Sequence, residues 1–287
     1  MNISIAIDNP TCTKCGKCVN VCPAHIFGKD KTEKTIRAQY VETCIKCGHC
    51  VASCPTASVS HSAFPPGKIH AVDRKLLPTP EQVMLLCKLR RSNRAFASQP
   101  VSQEKLDMIL EAAHRAPTAS NLQQVRFTLV TNPAVLKQIG NLTIEIFSSL
   151  VKKIETPGLK SFVKMMLPEI YGFLPRFKKL KDEQLQGDDP ILHHATALIL
   201  IHTPEGSRFG CQDANLAYQN GSLMAESLGV AQFYTGFLCT AITQDKKRRF
   251  NNLLGINGTI QAGMALALPQ FTFPNYIDRD EIKVSRI

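Results

Sequence analysis

Two cysteine runs near the amino terminus constrain this chain more than any other feature. Each run reads Cys-x-x-Cys-x-x-Cys-x-x-x-Cys-Pro, and the second begins 32 residues after the first. The first ten residues lack the basic and apolar segments of a signal peptide, which predicts a cytoplasmic protein. Clustered thiols in a reducing compartment indicate metal ligands rather than disulfides. The eight candidate ligands are Cys12, Cys15, Cys18, Cys22, Cys44, Cys47, Cys50 and Cys54.

The paired runs resemble those of bacterial two-cluster ferredoxins over roughly residues 3–60. The resemblance implies two [4Fe-4S] clusters, in which the fourth cysteine of each run ligates the other cluster. A pair of zinc ribbons would not call for triple Cys-x-x-Cys spacing with a terminal Cys-Pro. The segment is therefore expected to relay single electrons. The implied ligand sets are Cys12, Cys15, Cys18 and Cys54 for one cluster, and Cys44, Cys47, Cys50 and Cys22 for the other.

The chain is basic, with 34 Lys and Arg residues against 23 Asp and Glu residues, or a net charge of +11. Six lysines surround the cysteine runs, either as a solvated face or as a docking site for an acidic electron carrier such as ferredoxin or flavodoxin. His49, between Cys47 and Cys50, is either a spacer or a hydrogen-bonding group that tunes a cluster. The lysines are Lys14, Lys17, Lys29, Lys31, Lys34 and Lys46.

Composition argues against several other classes of protein. The chain has 44% hydrophobic and 20% charged residues, which is typical of a globular protein. No apolar run approaches the roughly 18 residues that a membrane-spanning helix needs. With no Trp, no basic block and no recognised motif, the chain gives little indication of nucleic-acid binding.

At 287 residues the chain has room for two domains. A proline-rich stretch without periodicity separates the cysteine runs from the remainder. We predict a two-cluster ferredoxin domain at residues 1–62, a linker at 63–79 and a larger domain at 80–287. The order of helices and strands in the larger domain predicts an α+β fold, with long helices packed on a central sheet.

Apolar periodicity predicts strands at 125–131, 195–202, 230–234 and 260–268. The predicted helices run from Thr79, where a capping box begins, to about Arg90, from Ser102 through Ala113, from Pro133 through Leu150, from about Asp213 to Leu228, and from Asp245 to Leu254. Residues 156–190 mix apolar pieces with basic residues and prolines, and we interpret them as a mobile cover. The three remaining cysteines, Cys87, Cys211 and Cys239, are expected in the core.

Three short stretches of the larger domain carry candidate chemistry. Residues 90–96 hold three arginines and a serine after a helix, which suits an anion because guanidinium forks match phosphate oxygens. The alternative for this stretch is a solvated helix end. Residues 116–124 form a polar turn, and residues 228–237 lead through a strand to a glycine where a flat ligand could meet the backbone.

In this order and at these separations, the three stretches resemble the FMN-dependent nitroreductase family over roughly residues 80–287. The resemblance implies that Arg90 and Ser92 hold the FMN phosphate with Arg91 beside them, and that Arg94 approaches the N1 and C2 carbonyl edge of the flavin. Arg279 matches a phosphate-binding arginine of the family's C-terminal segment. The remaining implied FMN contacts are Pro117, Thr118 and Asn121 in the turn, and Tyr234, Thr235 and Gly236 near the reactive N5.

The resemblance also implies a homodimer with FMN at the subunit interface. His193 and His194 precede a predicted strand. Because adjacent residues point to opposite sides of a strand, at most one of them is expected at a substrate mouth. No acid–base residue is assigned, because solvent or the flavin itself can supply protons.

The fusion of the two parts suggests a function. Our leading hypothesis is that a reduced ferredoxin-like carrier charges the clusters, which pass single electrons to FMN for reduction of a nitroaromatic, quinone or activated alkene. A reversed enzyme would take electrons from NAD(P)H or substrate and export them through the clusters. A non-catalytic redox carrier or sensor is the alternative from another class, and a descendant that binds no flavin is a third.

Overall fold

The computed structural model describes residues 3–30, 32 and 35–287, and its contacts divide the chain into two compact units. The first unit comprises Met1–Pro78 together with Ala119–Leu122. The second comprises Thr79–Thr118 and Gln123–Ile287. A four-residue segment from the middle of the larger domain therefore belongs to the unit that contains the cysteine runs.

The first unit repeats one small motif, as the cysteine spacing suggests. Each cysteine run contributes a short helix followed by a short strand, and the two strand pairs are antiparallel. Ile26, Phe27, Ile36 and Val59 form its buried core with two of the cysteines. The elements are β1 (Ile5–Ile7) paired with β4 (Val59–His61), β2 (Phe27–Lys29) paired with β3 (Ile36–Ala38), and the helices α1 (Lys17–Val21) and α2 (His49–Ala52).

The second unit is built on a four-stranded antiparallel sheet with the order β5-β6-β8-β7. The central strand β6 is buried at six of its seven positions, and its first five residues are all apolar because both of its faces are covered. Its side chains alternate between two apolar clusters, with Leu198 and Leu200 on one face and Ile199 and Ile201 on the other. The strands are β5 (Arg126–Val130), β6 (Ala197–Thr203), β7 (Ala231–Tyr234) and β8 (Thr259–Ala267).

Helices cover both faces of this sheet. One cluster takes its helical residues from α5 (Pro133–Ile154) and its neighbours, where the Phe147 and Phe177 rings stack 4.4 Å apart. The other takes them from α4 (Gln103–His114) and α8 (Gly210–Ser227). The two helices of this second layer approach closely at Gly221, where a Cβ would meet Ala113 Cβ at 3.3 Å. The remaining helices are α3 (Pro80–Leu89), α6 (Leu159–Met166), α7 (Pro168–Leu185), α9 (Gly236–Gln244) and α10 (Arg249–Leu254).

The four strands lie within two residues of the predicted bounds, and the capping box at Thr79 is confirmed, since Thr79 and Gln82 bond each other's backbone N–H. Residues 156–190, which we interpreted as a mobile cover, are largely helical. They form α6 and α7, which bury Leu174, Phe177 and Leu180 in the same cluster as α5. Helical periodicity was obscured there by interspersed basic residues and prolines.

Helices α9 and α10 and the three remaining cysteines differ from their predictions. Helix α9 was not predicted, because Gly236 was interpreted only as the end of a strand. Helix α10 starts at Arg249 rather than at Asp245, because the Asp245 side chain lies outside the helix and accepts the Phe250 backbone N–H. Cys87 and Cys211 are exposed rather than in the core, and Cys239 is half-buried. Within the described part of the chain, no helix combines the length and apolarity needed to cross a membrane.

Candidate functional site

The eight cysteines of the first unit line two separate small cavities. The fourth cysteine of each run lines the cavity of the other run, as the crossed ligand sets require. Isoleucine and glycine residues contribute to both walls, and the surfaces of both cavities are largely apolar. One cavity is lined by Cys12, Cys15, Cys18 and Cys54, and the other by Cys22, Cys44, Cys47 and Cys50.

The surroundings of the thiols fit an iron–sulfur cluster. Burial raises the pKa of Cys50 to about 11 and also raises the pKa of Cys18. Iron favours the thiolate at such buried positions, because a metal ligand must be deprotonated. Backbone N–H groups point at other sulfurs, with Lys46 N 3.4 Å from Cys44 Sγ and Ser58 N 3.2 Å from Cys54 Sγ.

His61, which the sequence analysis did not single out, lies in the second of these cavities. Its Nε2 is 3.4 Å from Cys44 Sγ, and the residue is 5% exposed. Burial, followed by the charge of Lys46, lowers the pKa of His61. His49 also borders this cavity but is exposed, so the nearer histidine is the one that ends β4. In sequence, His61 lies 17 residues after Cys44, and no motif marks this pair of residues.

Four of the lysines around the cysteine runs are exposed, namely Lys14, Lys17, Lys29 and Lys46. Lys31 and Lys34 lie outside the described residues. The exposed ammonium groups give this unit a positive surface that suits an acidic partner.

The polar turn divides between the two units. Thr118 Oγ1 accepts the Gln123 backbone N–H at 3.0 Å and closes the turn, while Pro117 is exposed. The Asn121 side-chain amide donates to the carbonyl oxygens of Ile45 (3.1 Å) and Lys46 (2.8 Å), inside the first unit. Asn121, which was expected to contact the flavin, is thus bonded to the loop between Cys44 and Cys47 within the first unit.

A buried polar network holds the arginine segment against β7. Gln232 is 1% exposed; its side-chain amide donates to the Arg91 carbonyl at 3.2 Å and accepts the Tyr218 hydroxyl at 2.7 Å. The Asn93 backbone N–H donates to the Gln232 carbonyl at 3.1 Å. Two of the three sequence stretches, residues 90–96 and 228–237, are therefore brought together.

The arginine cluster is the most cationic part of this arrangement. The guanidinium carbon of Arg94 lies 5.0 Å from the centroid of the Phe233 ring, and Ser92 is exposed beside it. Burial raises the pKa of Tyr218 to about 12, although Arg90 and Arg94 oppose the rise. In the described part of the chain, Arg90, Arg91 and Arg94 form no salt bridge. The arginine cluster is therefore a candidate site for an anion.

The strand exit continues the same surface. The Tyr234 ring packs edge-on against Tyr218 at 4.9 Å, and Thr235 is 1% exposed with its backbone N–H bonded to the Gly263 carbonyl. A Cβ built on Gly236 would meet no atom within 4 Å, and its φ is not in the left-handed region. Neither packing nor backbone strain within the chain requires glycine at this position.

The C-terminal segment has no regular structure, and Arg279 is exposed there. Upstream of it, the Phe273 ring lies 5.8 Å from the Arg91 guanidinium and the Tyr276 hydroxyl lies 3.4 Å from Lys88 Nζ. The segment therefore passes the arginine stretch before it reaches Arg279.

The two neighbouring histidines lie in a turn before β6 rather than on the strand, with φ of 54° at His193 and 60° at His194. His193 packs edge-on against Phe233 at 5.3 Å, on the ring that Arg94 also contacts. Burial and the charge of Arg94 lower the pKa of His193. His194 is exposed, so His193 is the one that joins the arginine surface.

Comparison with protein families decides what this chain is related to. The family model of the nitroreductase family matches residues 88–268. The chain belongs to the nitroreductase family. A 4Fe-4S dicluster domain matches residues 11–59, so this family member carries a ferredoxin-type domain ahead of its nitroreductase domain.

Solved structures with the nitroreductase fold resemble the second part of the chain. A nitroreductase with bound FMN from Bacteroides fragilis NCTC 9343 is 20% identical with a TM-score of 0.54, covering 71% of this chain and 99% of its own. One with bound FMN from Desulfitobacterium hafniense DCB-2 is 20% identical with a TM-score of 0.53, covering 71% and 98%. An FMN-dependent nitroreductase from Clostridium difficile R20291 is 18% identical with a TM-score of 0.51, covering 73% and 100%. These likenesses show the fold. The search of curated proteins found no match.

Proposed function

We propose that this protein is an iron–sulfur flavoprotein oxidoreductase that takes single electrons from a ferredoxin-like carrier and uses them to reduce an organic acceptor of the nitroaromatic, quinone or activated alkene type. The observation that carries the proposal is the presence, in one chain, of two cysteine-lined cavities and a cluster of three arginines on a nitroreductase fold. The clusters supply one-electron transfer, and FMN supplies exchange of either one or two electrons.

The cysteine cavities fit two [4Fe-4S] clusters, because each presents four thiols in a largely apolar wall with backbone N–H groups aimed at sulfur. All eight cysteines are the proposed ligands. The exposed lysines of the same unit are the proposed docking surface for an acidic ferredoxin or flavodoxin. The affinity of this carrier for the protein should fall as the salt concentration rises, because salt screens the attraction between exposed charges.

The arginine surface fits the phosphate and ring edge of FMN. Arg90, Arg91 and Ser92 offer guanidinium forks and a hydroxyl, and the Gln232 network fixes the backbone that carries them. A cation at Arg94 would stabilise negative charge at the edge of the ring that it faces. Thr118, Pro117 and Asn121 of the turn, Tyr234, Thr235 and Gly236 of the strand exit, and Arg279 of the C-terminal segment complete the proposed set.

We further propose that the protein works as a homodimer with FMN between subunits. Three apolar side chains of α3, Val83, Met84 and Leu85, are exposed on the single chain, beside the helix end that leads into Arg90. Packing of α3 against a second copy would cover these residues.

A turnover experiment tests the enzyme proposal. Under anaerobic conditions, the reconstituted protein is mixed with excess reduced ferredoxin and with p-nitrobenzoate, menadione or an α,β-unsaturated ketone, and product per protein is counted. We expect many product molecules per protein with at least one acceptor. Product limited to one equivalent or less with all three would contradict an enzyme and favour a carrier or sensor.

A further inference from the structure

The side chain of His61 is fixed by hydrogen bonds at both ring nitrogens. Nδ1 accepts the Ala63 backbone N–H at 3.0 Å, and Nε2 lies 3.4 Å from Cys44 Sγ. The ring also packs against Phe64, with centroids 4.8 Å apart. With 5% of the residue exposed, water has little access to the imidazole.

This geometry determines which nitrogen carries the proton. A nitrogen that accepts a backbone N–H has its lone pair in use and carries no hydrogen, so Nδ1 is the acceptor. The proton of the neutral ring is then on Nε2, which faces the sulfur. His61 is therefore a hydrogen-bond donor to Cys44, alongside the Lys46 backbone N–H at 3.4 Å.

We propose that His61 is a positioning residue that raises the reduction potential of the cluster held by Cys22, Cys44, Cys47 and Cys50. Reduction adds negative charge to the cluster and its thiolates. A donor aimed at a ligating sulfur stabilises that added charge more than it stabilises the oxidised state. The inference rests on the proposed function, because it requires that this cavity holds a cluster that takes up electrons.

The hydrogen bond from His61 to Cys44 affects only one of the two clusters. The internal repeat places Lys29 of β2 where His61 stands at the end of β4, and the Lys29 side chain is exposed. The other cavity has Ser58 N–H and the Thr56 hydroxyl near Cys54, at 3.2 Å and 3.8 Å, and no imidazole among its lining residues in the described part of the chain. Loss of the His61 donor should therefore shift one of the two cluster potentials.

The test compares His61→Phe with His49→Phe by EPR-monitored redox titration of the whole protein under anaerobic conditions. His61→Phe keeps a ring against Phe64 and removes both nitrogens, whereas His49 is an exposed histidine of the same cavity. We expect His61→Phe to lower the equilibrium constant for one-electron reduction of one cluster about three- to tenfold, where tenfold corresponds to a reduction potential lower by 59 mV. The second cluster and both clusters of His49→Phe should keep their potentials, and His61→Gln, which retains a donor, should restore part of the shift.

Unchanged potentials in His61→Phe, or equal shifts in both histidine variants, would overturn the proposal. Iron analysis separates this outcome from failure of the proposed function, since about eight irons per chain would show that both clusters are present. A second measurement needs no variant at His61. In wild-type protein with ¹⁵N-labelled histidine, pulsed EPR of the reduced state should detect one coupled histidine nitrogen that persists in His49→Phe, and absence of that coupling would also overturn the proposal.

Discussion

Cys47→Ala is expected to halve the iron content of the protein, from about eight to about four irons per chain, and to abolish reduction of its flavin by ferredoxin. Cys47 lines one cavity only, so the cluster of Cys12, Cys15, Cys18 and Cys54 should remain. The rate of ferredoxin-driven flavin reduction should fall about 100-fold or more, the lower end of the advantage that tethering a donor provides. Iron analysis and anaerobic stopped-flow absorbance of the flavin check both parts.

Two controls make the result specific to the relay. Cys87→Ala removes an exposed thiol outside the cavities and should leave iron content and rate unchanged. Dithionite, which can reduce the flavin without the clusters, should still bleach it in Cys47→Ala. A normal rate with ferredoxin at half the iron content would show that this cluster is not on the route to the flavin.

The second large effect is expected at the arginine surface. Arg90→Ala should weaken FMN binding about 10- to 100-fold, because hydrogen bonds to charged groups contribute about 1.5–3 kcal/mol each. Burial raises the pKa of the Glu226 carboxyl, and the charge of Arg90 opposes that rise. Titration of the flavin-free protein with FMN, followed by flavin fluorescence, measures the dissociation constant.

Matched variants distinguish a phosphate ligand from a general loss of positive charge. Arg90→Lys keeps the charge but loses the planar fork, so its affinity should lie between those of wild type and Arg90→Ala. Arg115→Ala removes a guanidinium that is 76% exposed and paired with Glu111, and it should bind FMN normally. Equal weakening in Arg90→Ala and Arg115→Ala would contradict the assignment of Arg90 to the phosphate.

The sequence carries the local features of this fold well. The strands are recognisable because β6 and β8 are apolar on both faces, and the capping box at Thr79 is a local hydrogen-bonding pattern. Residues 156–190 were harder to predict because basic residues and prolines interrupt their apolar pattern, and α7 is held by the stacking of Phe177 on the distant Phe147. Helix α9 was hidden because a glycine that begins a helix looks the same in sequence as one that ends a strand.

The candidate site divides in the same way. The cysteines and arginines are set by short-range spacing and could be named from the sequence. Their supporting groups come from distant parts of the chain: Gln232 reaches Arg91 across 141 residues, and Asn121 reaches Ile45 across 76. His61 differs from His49 only by burial and by the direction of its ring nitrogens, which a sequence does not encode locally.

The central claim is that electrons enter through the clusters and reach the flavin. It is tested most directly by anaerobic absorbance of the purified protein at the flavin band, with reduced ferredoxin, NADH or NADPH added as the donor. We predict fast bleaching of the flavin by ferredoxin and slow or no bleaching by either nicotinamide. Direct reduction of the flavin by NADH or NADPH, with no response to ferredoxin, would contradict this direction and make the clusters an exit for electrons.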